Sequence, residues 1–168
     1  MNKKLFALVL ALFAVGATGL SYAASHWTGN WFAEEQRTGA GPSVDVFKSA
    51  TCGCCAKWVD HMREAGFTVH VTDLQEPELQ KIKDRYGVPA NGRSCHTARV
   101  DGFTVEGHVP ASEVKRLLKE KPPVVGITVP GMPLGSPGME VSGVTPQPYQ
   151  VLSFDKAGKT QVYSVQKP

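Results

Sequence analysis

Beyond Ala23 the chain has no apolar run that approaches the length of a membrane span. It has no internal repeat and little excess of either charge: 18 lysines and arginines stand against 15 aspartates and glutamates. A near-neutral chain of this kind is a poor match for nucleic acid. Cysteine is scarce too, with four in 168 residues, and Cys54 and Cys55 are adjacent. Neighbouring cysteines rarely bridge, because the ring forces an unusual peptide geometry. A Cys52–Cys55 bridge closes too short a loop to restrict the unfolded chain much. The pattern speaks against a framework of structural disulfides and for thiols with a chemical role.

The first residues point to export. Asn2-Lys3-Lys4, an apolar run from Leu5 to Val15 and Ser21-Tyr22-Ala23 have the charged, hydrophobic and small-residue regions of a secretory signal peptide. Residues 1–23 are therefore expected to be removed, leaving no membrane segment and keeping all four cysteines. Residues 24–42 read as an N-terminal extension that docks through Trp27 and Trp31, with His26 a solvated residue near the new N-terminus.

From there the chain is organised around Thr51-Cys52-Gly53-Cys54-Cys55. Val44 to Phe47 upstream reads as a short buried strand. Cys55, Trp58, Val59 and Met62 downstream recur at i, i+3, i+4 and i+7, the stripe of an amphipathic helix. The cluster thus falls at a helix N-terminus, where free N–H groups and the helix dipole favour thiolate over thiol. Cys52 and Cys55 have C-x-x-C spacing, which between strand and helix marks a thioredoxin-like redox motif. Gly66 caps the helix, and Phe67, Val69 and Val71 alternate as a second strand. Pro77 opens a second helix bearing Leu79, Ile82 and Tyr86, closed by Gly87. Thr97–Val100 and Phe103–Glu106 flank Asp101-Gly102, a two-residue hairpin signal. Pro110 opens a third helix with Val114, Leu117 and Leu118.

This β-α-β-α-β-β-α order predicts an α/β fold with a thioredoxin-like domain over 43–121. Residues 122–168 form a Gly/Pro/Met-rich C-terminal extension with a terminal β-hairpin. Gly126 to Pro148 cannot make a regular helix and exceeds an ordinary loop, so it is either functional or disordered. Tyr149–Phe154 and Thr160–Val165 form the hairpin, around Lys156 to Lys159.

In such a topology the third strand starts opposite the first helix's N-terminus, which brings Cys95 beside Cys52, Cys54 and Cys55. Thioredoxins place a cis-proline there; this chain has Ser94-Cys95-His96. The departure weakens general peptide disulfide exchange and leaves room for metal. Four thiolates suit Cu(I), Zn(II) or an iron–sulfur cluster. Zinc sites normally use two separated ligand pairs, whereas Cys95 stands alone, and iron–sulfur assembly is unusual for a chain exported unfolded. Cu(I) accepts bridging thiolates and thioethers, which Met132 and Met139 would supply unless they simply pack over the core. His96 adjoins Cys95 and is a candidate ligand. His108 either binds metal or holds a loop by hydrogen bonding. His61 and His70 read as exposed.

Cys52-Gly53-Cys54-Cys55, Ser94-Cys95-His96-Thr97, Glu106-Gly107-His108-Val109-Pro110 and the paired Pro-Gly-Met motifs at 130–132 and 137–139 together resemble the CopG family of exported copper-resistance proteins of Gram-negative bacteria. The resemblance spans about residues 44 to 155. It implies a periplasmic thioredoxin-fold copper protein that interconverts Cu(I) and Cu(II) in support of an efflux system. It also implies copper ligands at Cys52, Cys54, Cys55 and Cys95, then Met132, Met139 and His108. Taken together, the expectation is a copper oxidoreductase with Cys52 and Cys55 as the redox pair and more than one copper ion bound. A non-redox copper carrier or buffer and a metal-free thiol–disulfide oxidoreductase are the alternatives.

Overall fold

The computed structural model describes residues 41–167. The expected signal peptide, Trp27, Trp31 and His26 lie outside the described residues. β1 (Ser43–Lys48) leads into α1 (Gly53–Glu64), β2 (Thr68–Asp73) and α2 (Glu76–Arg85). A single 3-10 turn at Ala90–Gly92 precedes the hairpin of β3 (Thr97–Val100) and β4 (Phe103–Glu106). α3 (Ala111–Glu120) follows, then β5 (Gly126–Thr128), β6 (Tyr149–Phe154) and β7 (Thr160–Gln166). All seven strands belong to one sheet in the order β2-β1-β3-β4-β5-β6-β7. β1 runs parallel to β2 and antiparallel to β3, and β4 runs parallel to β5. The α/β class and the element order expected over 43–121 are therefore present.

Local chemistry accounts for most element boundaries. The apolar stripe of α1 is the buried one: Cys55, Trp58, Val59 and Met62 face the core. A fully buried Met62 contributes about 1.5–3 kcal/mol by leaving water. Glu76 and Pro77 open α2 behind a capping box formed by Gln75 and Glu78. Asp101 and Gly102 both take positive φ (44° and 82°), the mirror-image turn whose twist matches the flanking strands.

Three expectations need correcting. β1 is buried on one face only: Val44 and Val46 are fully buried while Asp45 is exposed. Val71 lies beside Val46 on the core face but is 37% exposed there, because β2 is an edge strand whose last four residues are exposed. The segment after Lys121 is more regular than its composition suggests. It contains β5, whose three residues are all buried between β4 and β6, and the terminal hairpin continues the same sheet. Gly126 permits this: a Cβ there would lie 2.0 Å from the Thr104 carbonyl oxygen, so only glycine lets β5 approach β4.

The two faces of the central strands differ in character. Val44, Val46, Ala98, Val100 and Val105 join Trp58, Met62, Val114 and Leu117 in an apolar core. Alternation sends Thr97, Thr104 and Glu106 to the opposite face, and all three are fully buried there. Lys83 of α2 reaches into this polar layer, 1% exposed, and its Nζ lies 2.7 Å from Glu106 Oε1. Removing either partner alone would strand a buried charge, at a cost of about 3–5 kcal/mol.

Candidate metal centre

β1 ends at Lys48, and the next turn brings Cys52 to the N-cap of α1 with extended backbone (φ −78°, ψ 94°). Cys54 and Cys55 then lie in the first helical turn. Cys95 arrives from the turn before β3, which pairs with β1 along Phe47↔Thr97 and Val46↔Ala98. That register carries the residue before the strand to the same end of the sheet as the start of α1. The sulfurs of Cys52, Cys54, Cys55 and Cys95 all lie within 4.8 Å of one another. Cys52 and Cys55 are joined as a disulfide, Cys54 and Cys95 are free, and Cys54 Sγ sits 3.5 Å from Cys52 Sγ.

A second group of donors shares Cys95. Its Sγ is 3.0 Å from His108 Nε2 and 3.3 Å from His96 Nδ1. His108 Nδ1 lies 2.8 Å from the Pro137 carbonyl oxygen. A carbonyl only accepts, so Nδ1 carries the proton and Nε2 presents its lone pair to the sulfur. An outer partner that sets the tautomer in this way is the usual support for a metal-binding histidine. The two imidazole rings stand edge to face, 5.0 Å between centroids, and Trp58 packs on His96 at 4.5 Å. His96 is fully buried, and its Nε2 has no partner.

The electrostatics keep these groups neutral in the metal-free protein. Burial, with the Cys54 thiol next in weight, pushes the Cys95 thiol up to about 12. Burial holds His96 well below its ordinary value of 6.5, with His108 and Lys83 acting the same way. Burial also lowers His108, against the Pro137 carbonyl and Glu140, which favour the charged ring. An uncharged imidazole is the form that binds metal. With its thiol held this far up, Cys95 becomes a thiolate when a cation draws its proton off.

The C-terminal segment closes over this end of the sheet. Gly131 N–H donates to the Arg93 carbonyl, and the Ser94 hydroxyl donates to the Gly131 carbonyl. Pro137 supplies the acceptor for His108, and Gly138 packs on the first turn of α1. A Cβ on Gly138 would fall 2.7 Å from the Cys54 carbonyl oxygen and 2.9 Å from the Trp58 nitrogen. Between these anchors the loop ties itself together through Ser136, whose N–H and hydroxyl both donate to the Pro133 carbonyl. Met132 is 52% exposed and Met139 half-buried.

Comparison with known proteins agrees with this arrangement. No curated protein matches the chain. A family model described as "Protein of unknown function, DUF411" matches residues 92–139, which hold the Cys95 turn, His108 and the covering loop. A solved structure titled "Copper resistance protein copG- Form 2" is 40% identical, with a TM-score of 0.69 over 76% of this chain and 99% of its own. A second, "Copper resistance protein copG- Form 1", is also 40% identical, with a TM-score of 0.70 over the same shares. The chain belongs to the CopG family.

Within this CopG-family chain, the six cysteine and histidine positions singled out from sequence come together, because Cys95 belongs to both donor groups. His70 is exposed, as its place in β2 suggested. His61 is not: it is half-buried, and its Nε2 accepts the Ala111 N–H at 3.0 Å. The reason is that Pro110, at the N-cap of α3, has no side-chain acceptor for the orphan N–H groups, so α1 supplies one. Sequence reasoning also missed Lys83, Glu106, Pro137 and Gly138 as parts of the site's surroundings. Glu106 had one legible signal: it alternates with Thr104, directly opposite Thr97, on strands otherwise covered on both faces. No helix among the described residues is long and apolar enough to cross a membrane.

The histidines imply a pH dependence of stability. His61, His96 and His108 are all lowered from 6.5 by burial, so below that value the unfolded chain binds more protons than the folded one. Stability is then fully present above 6.5 and is lost as pH falls through the depressed folded values. Burial pushes the Glu106 carboxyl up from 4.5, which acts with the opposite sign but for one group against three. The urea midpoint of the metal-free protein should be flat from 6.5 to about 8, short of the range where unfolded cysteine ionises and the raised Cys95 thiol begins to count, and should fall below 6.5. A midpoint that rises on acidification would make Glu106 the dominant group.

Proposed function

We propose that this protein is an exported, periplasmic copper oxidoreductase that interconverts Cu(I) and Cu(II). The observation that carries this reading is the convergence of four cysteine sulfurs within 4.8 Å, in a chain of the CopG family. Copper is here the substrate rather than a resident group. Soft thiolates with two neutral imidazoles suit Cu(I) better than harder cations. Cys52, Cys54, Cys55 and Cys95 bind it, with His96 and His108 beside them and Met132 and Met139 as thioether donors from the covering loop. Several thiolates in contact can bridge ions, so more than one Cu(I) is held.

Cys52 and Cys55 are the redox pair. Two Cu(II) ions each take one electron from the dithiol; a Cys52–Cys55 bond forms, two protons leave and two Cu(I) result. A periplasmic reductant reopens the bridge, and an efflux system receives the metal. In this reading residues 43–121 are a thioredoxin-like scaffold that presents the cysteines, and 122–168 form the arm that completes the metal site.

Anaerobic titration of the mature, fully reduced protein with Cu(II) tests the reading. The expected result is a copper-to-protein ratio above one, with two thiols lost for every two ions reduced. With an added reductant the parent should turn over repeatedly, and Cys52→Ser should not. If that variant cycles copper as fast as the parent, the Cys52–Cys55 mechanism is wrong; a parent that binds copper without turnover is a carrier or buffer. Replacing both Met132 and Met139 by leucine keeps apolar bulk and removes the sulfur donors. Copper affinity should fall while the urea midpoint of the metal-free protein stays put; the reverse outcome assigns both residues to packing.

A further inference from the structure

Glu106 and Lys83 form a buried ion pair that the copper chemistry does not use. Glu106 is 0% exposed and Lys83 1%, in side-chain terms. Such a pair is a weak source of stability, because well-packed apolar residues usually do as well. What an apolar pair cannot do is accept hydrogen bonds, and Glu106 accepts several. Its Oε1 takes the Ser94 N–H at 2.7 Å as well as the Lys83 ammonium at 2.7 Å. Its Oε2 takes the Thr97 hydroxyl at 2.7 Å. Lys83 in turn donates to Thr97 Oγ1 at 3.1 Å.

Ser94 precedes Cys95, and Thr97 follows His96. One carboxylate therefore holds the residues on both sides of the Cys95–His96 step. We propose that Glu106, oriented by Lys83, is a positioning residue for the metal-binding turn, a clamp that sets where Cys95 Sγ and His96 Nδ1 point. Around the same turn, Gly107 N–H donates to the His96 carbonyl at 2.9 Å, so the far strand supports the clamp from its own backbone. Lys83 comes from α2, which offers no ligand to the site. Its contribution is to keep the carboxylate ionised and aimed, so that both of its oxygens are engaged and the turn has one pose. Outer-shell partners of this kind act on metal affinity through ligand geometry rather than by touching the metal.

This inference rests on the copper reading above, and the experiment separates the two. Two double variants are compared with the parent for Cu(I) affinity, by competition with a chromogenic chelator, and for the ultraviolet thiolate-to-copper charge-transfer band. Unfolding midpoints are measured on the metal-free forms. Lys83→Leu/Glu106→Leu removes the charges and the clamp. Lys83→Met/Glu106→Gln removes the charges but keeps a neutral clamp, with the amide oxygen accepting Ser94 N–H and the amide nitrogen donating to Thr97. The leucine pair leaves the Ser94 N–H and the Thr97 hydroxyl without their acceptor, so its unfolding midpoint should fall. Assayed where it is still fully folded, it should lose about 10–100-fold in Cu(I) affinity and change its charge-transfer band. The Met/Gln pair should keep both near the parent's values. A merely structural role predicts instead that affinity follows the unfolding midpoint in both variants.

A leucine pair with the parent's affinity and band overturns the proposal while leaving the copper reading intact. A parent that takes up no Cu(I) sinks the copper reading itself. If the leucine pair does not fold, Ser94→Pro replaces it, since it deletes the donor N–H and leaves the ion pair in place. Arg93, at φ −69° and ψ 145°, already has the backbone that a residue before proline adopts. Ser94→Ala, which keeps the N–H, controls for the lost hydroxyl, and the same contrast in affinity and band decides.

Discussion

Cys95→Ser should cost the protein more Cu(I) affinity than any other single substitution in the site. Cys95 is the sulfur shared by both donor groups: it lies within 4.8 Å of the other three cysteine sulfurs and 3.0 Å from His108 Nε2. Loss of a supporting residue around a metal typically costs about 10–100-fold, and loss of a shared ligand should exceed that. Serine is nearly isosteric and its hydroxyl can still donate to His108, so the metal-free fold should be preserved. The charge-transfer intensity should fall together with the number of copper ions bound, because the bridge between the two donor groups is gone. Cys54→Ser is the comparison, since Cys54 belongs to only one of the groups. If the two variants lose copper equally and keep the same stoichiometry, Cys95 does not connect two donor sets.

Gly138→Ala should be the most damaging small change in the covering loop. Two effects add. Gly138 has φ +85°, where an L-residue costs about 1–2 kcal/mol. Its new methyl would sit 2.7 Å from the Cys54 carbonyl oxygen and 2.9 Å from the Trp58 nitrogen, both backbone atoms of a packed helix, and such overpacking costs about 1–3 kcal/mol. The loop has no soft neighbour to displace, so it must lift from α1. Pro137 moves with it, and His108 Nδ1 loses the acceptor that fixes its tautomer. Copper affinity should therefore fall along with stability. Gly143→Ala is the control: its φ is +79°, but nothing lies within 4 Å of the added carbon, so it carries the backbone strain alone. Chemical denaturation of both variants with copper titration of each separates the contact from the strain. Equal losses in the two would mean that Gly138 is glycine for its backbone only and that the loop does not seal the site.

The metal-binding residues show why a site of this kind is partly readable in advance. Three of the four cysteines are local to one another, and their place at a helix start follows from the stripe of Cys55, Trp58, Val59 and Met62 just beyond. Cys95 could be added only through a topology. Once β3 is assumed to pair with β1, the residue before Thr97 has to end near α1. His61 shows the opposite situation. Its helix position was clear, but whether a side chain beside an apolar stripe meets water or another element depends on what docks there. Here it is the uncapped N-terminus of α3. Lys83 is similar: at i+4 from Leu79 it shares the inward face of α2, and a lysine on such a face has no local signal that a carboxylate waits opposite. The three-residue β5 was missed for a related reason, since its Gly-Ile-Thr is too short to have a period of its own.

By itself, then, the sequence determined the elements other than β5, the turn at Asp101-Gly102, the inventory of sulfur and nitrogen donors and the family to which the chain belongs. Each of these is written in residues close together in the chain or in a motif. Only the tertiary structure decided that Cys95 is shared between two donor groups, that Pro137 selects the tautomer of His108, that Gly138 seals the helix start and that Glu106 grips both sides of the Cys95 turn. Those are contacts between segments nine or more residues apart. They depend on strand register and on the space left between packed elements, and neither is encoded in any one stretch of chain.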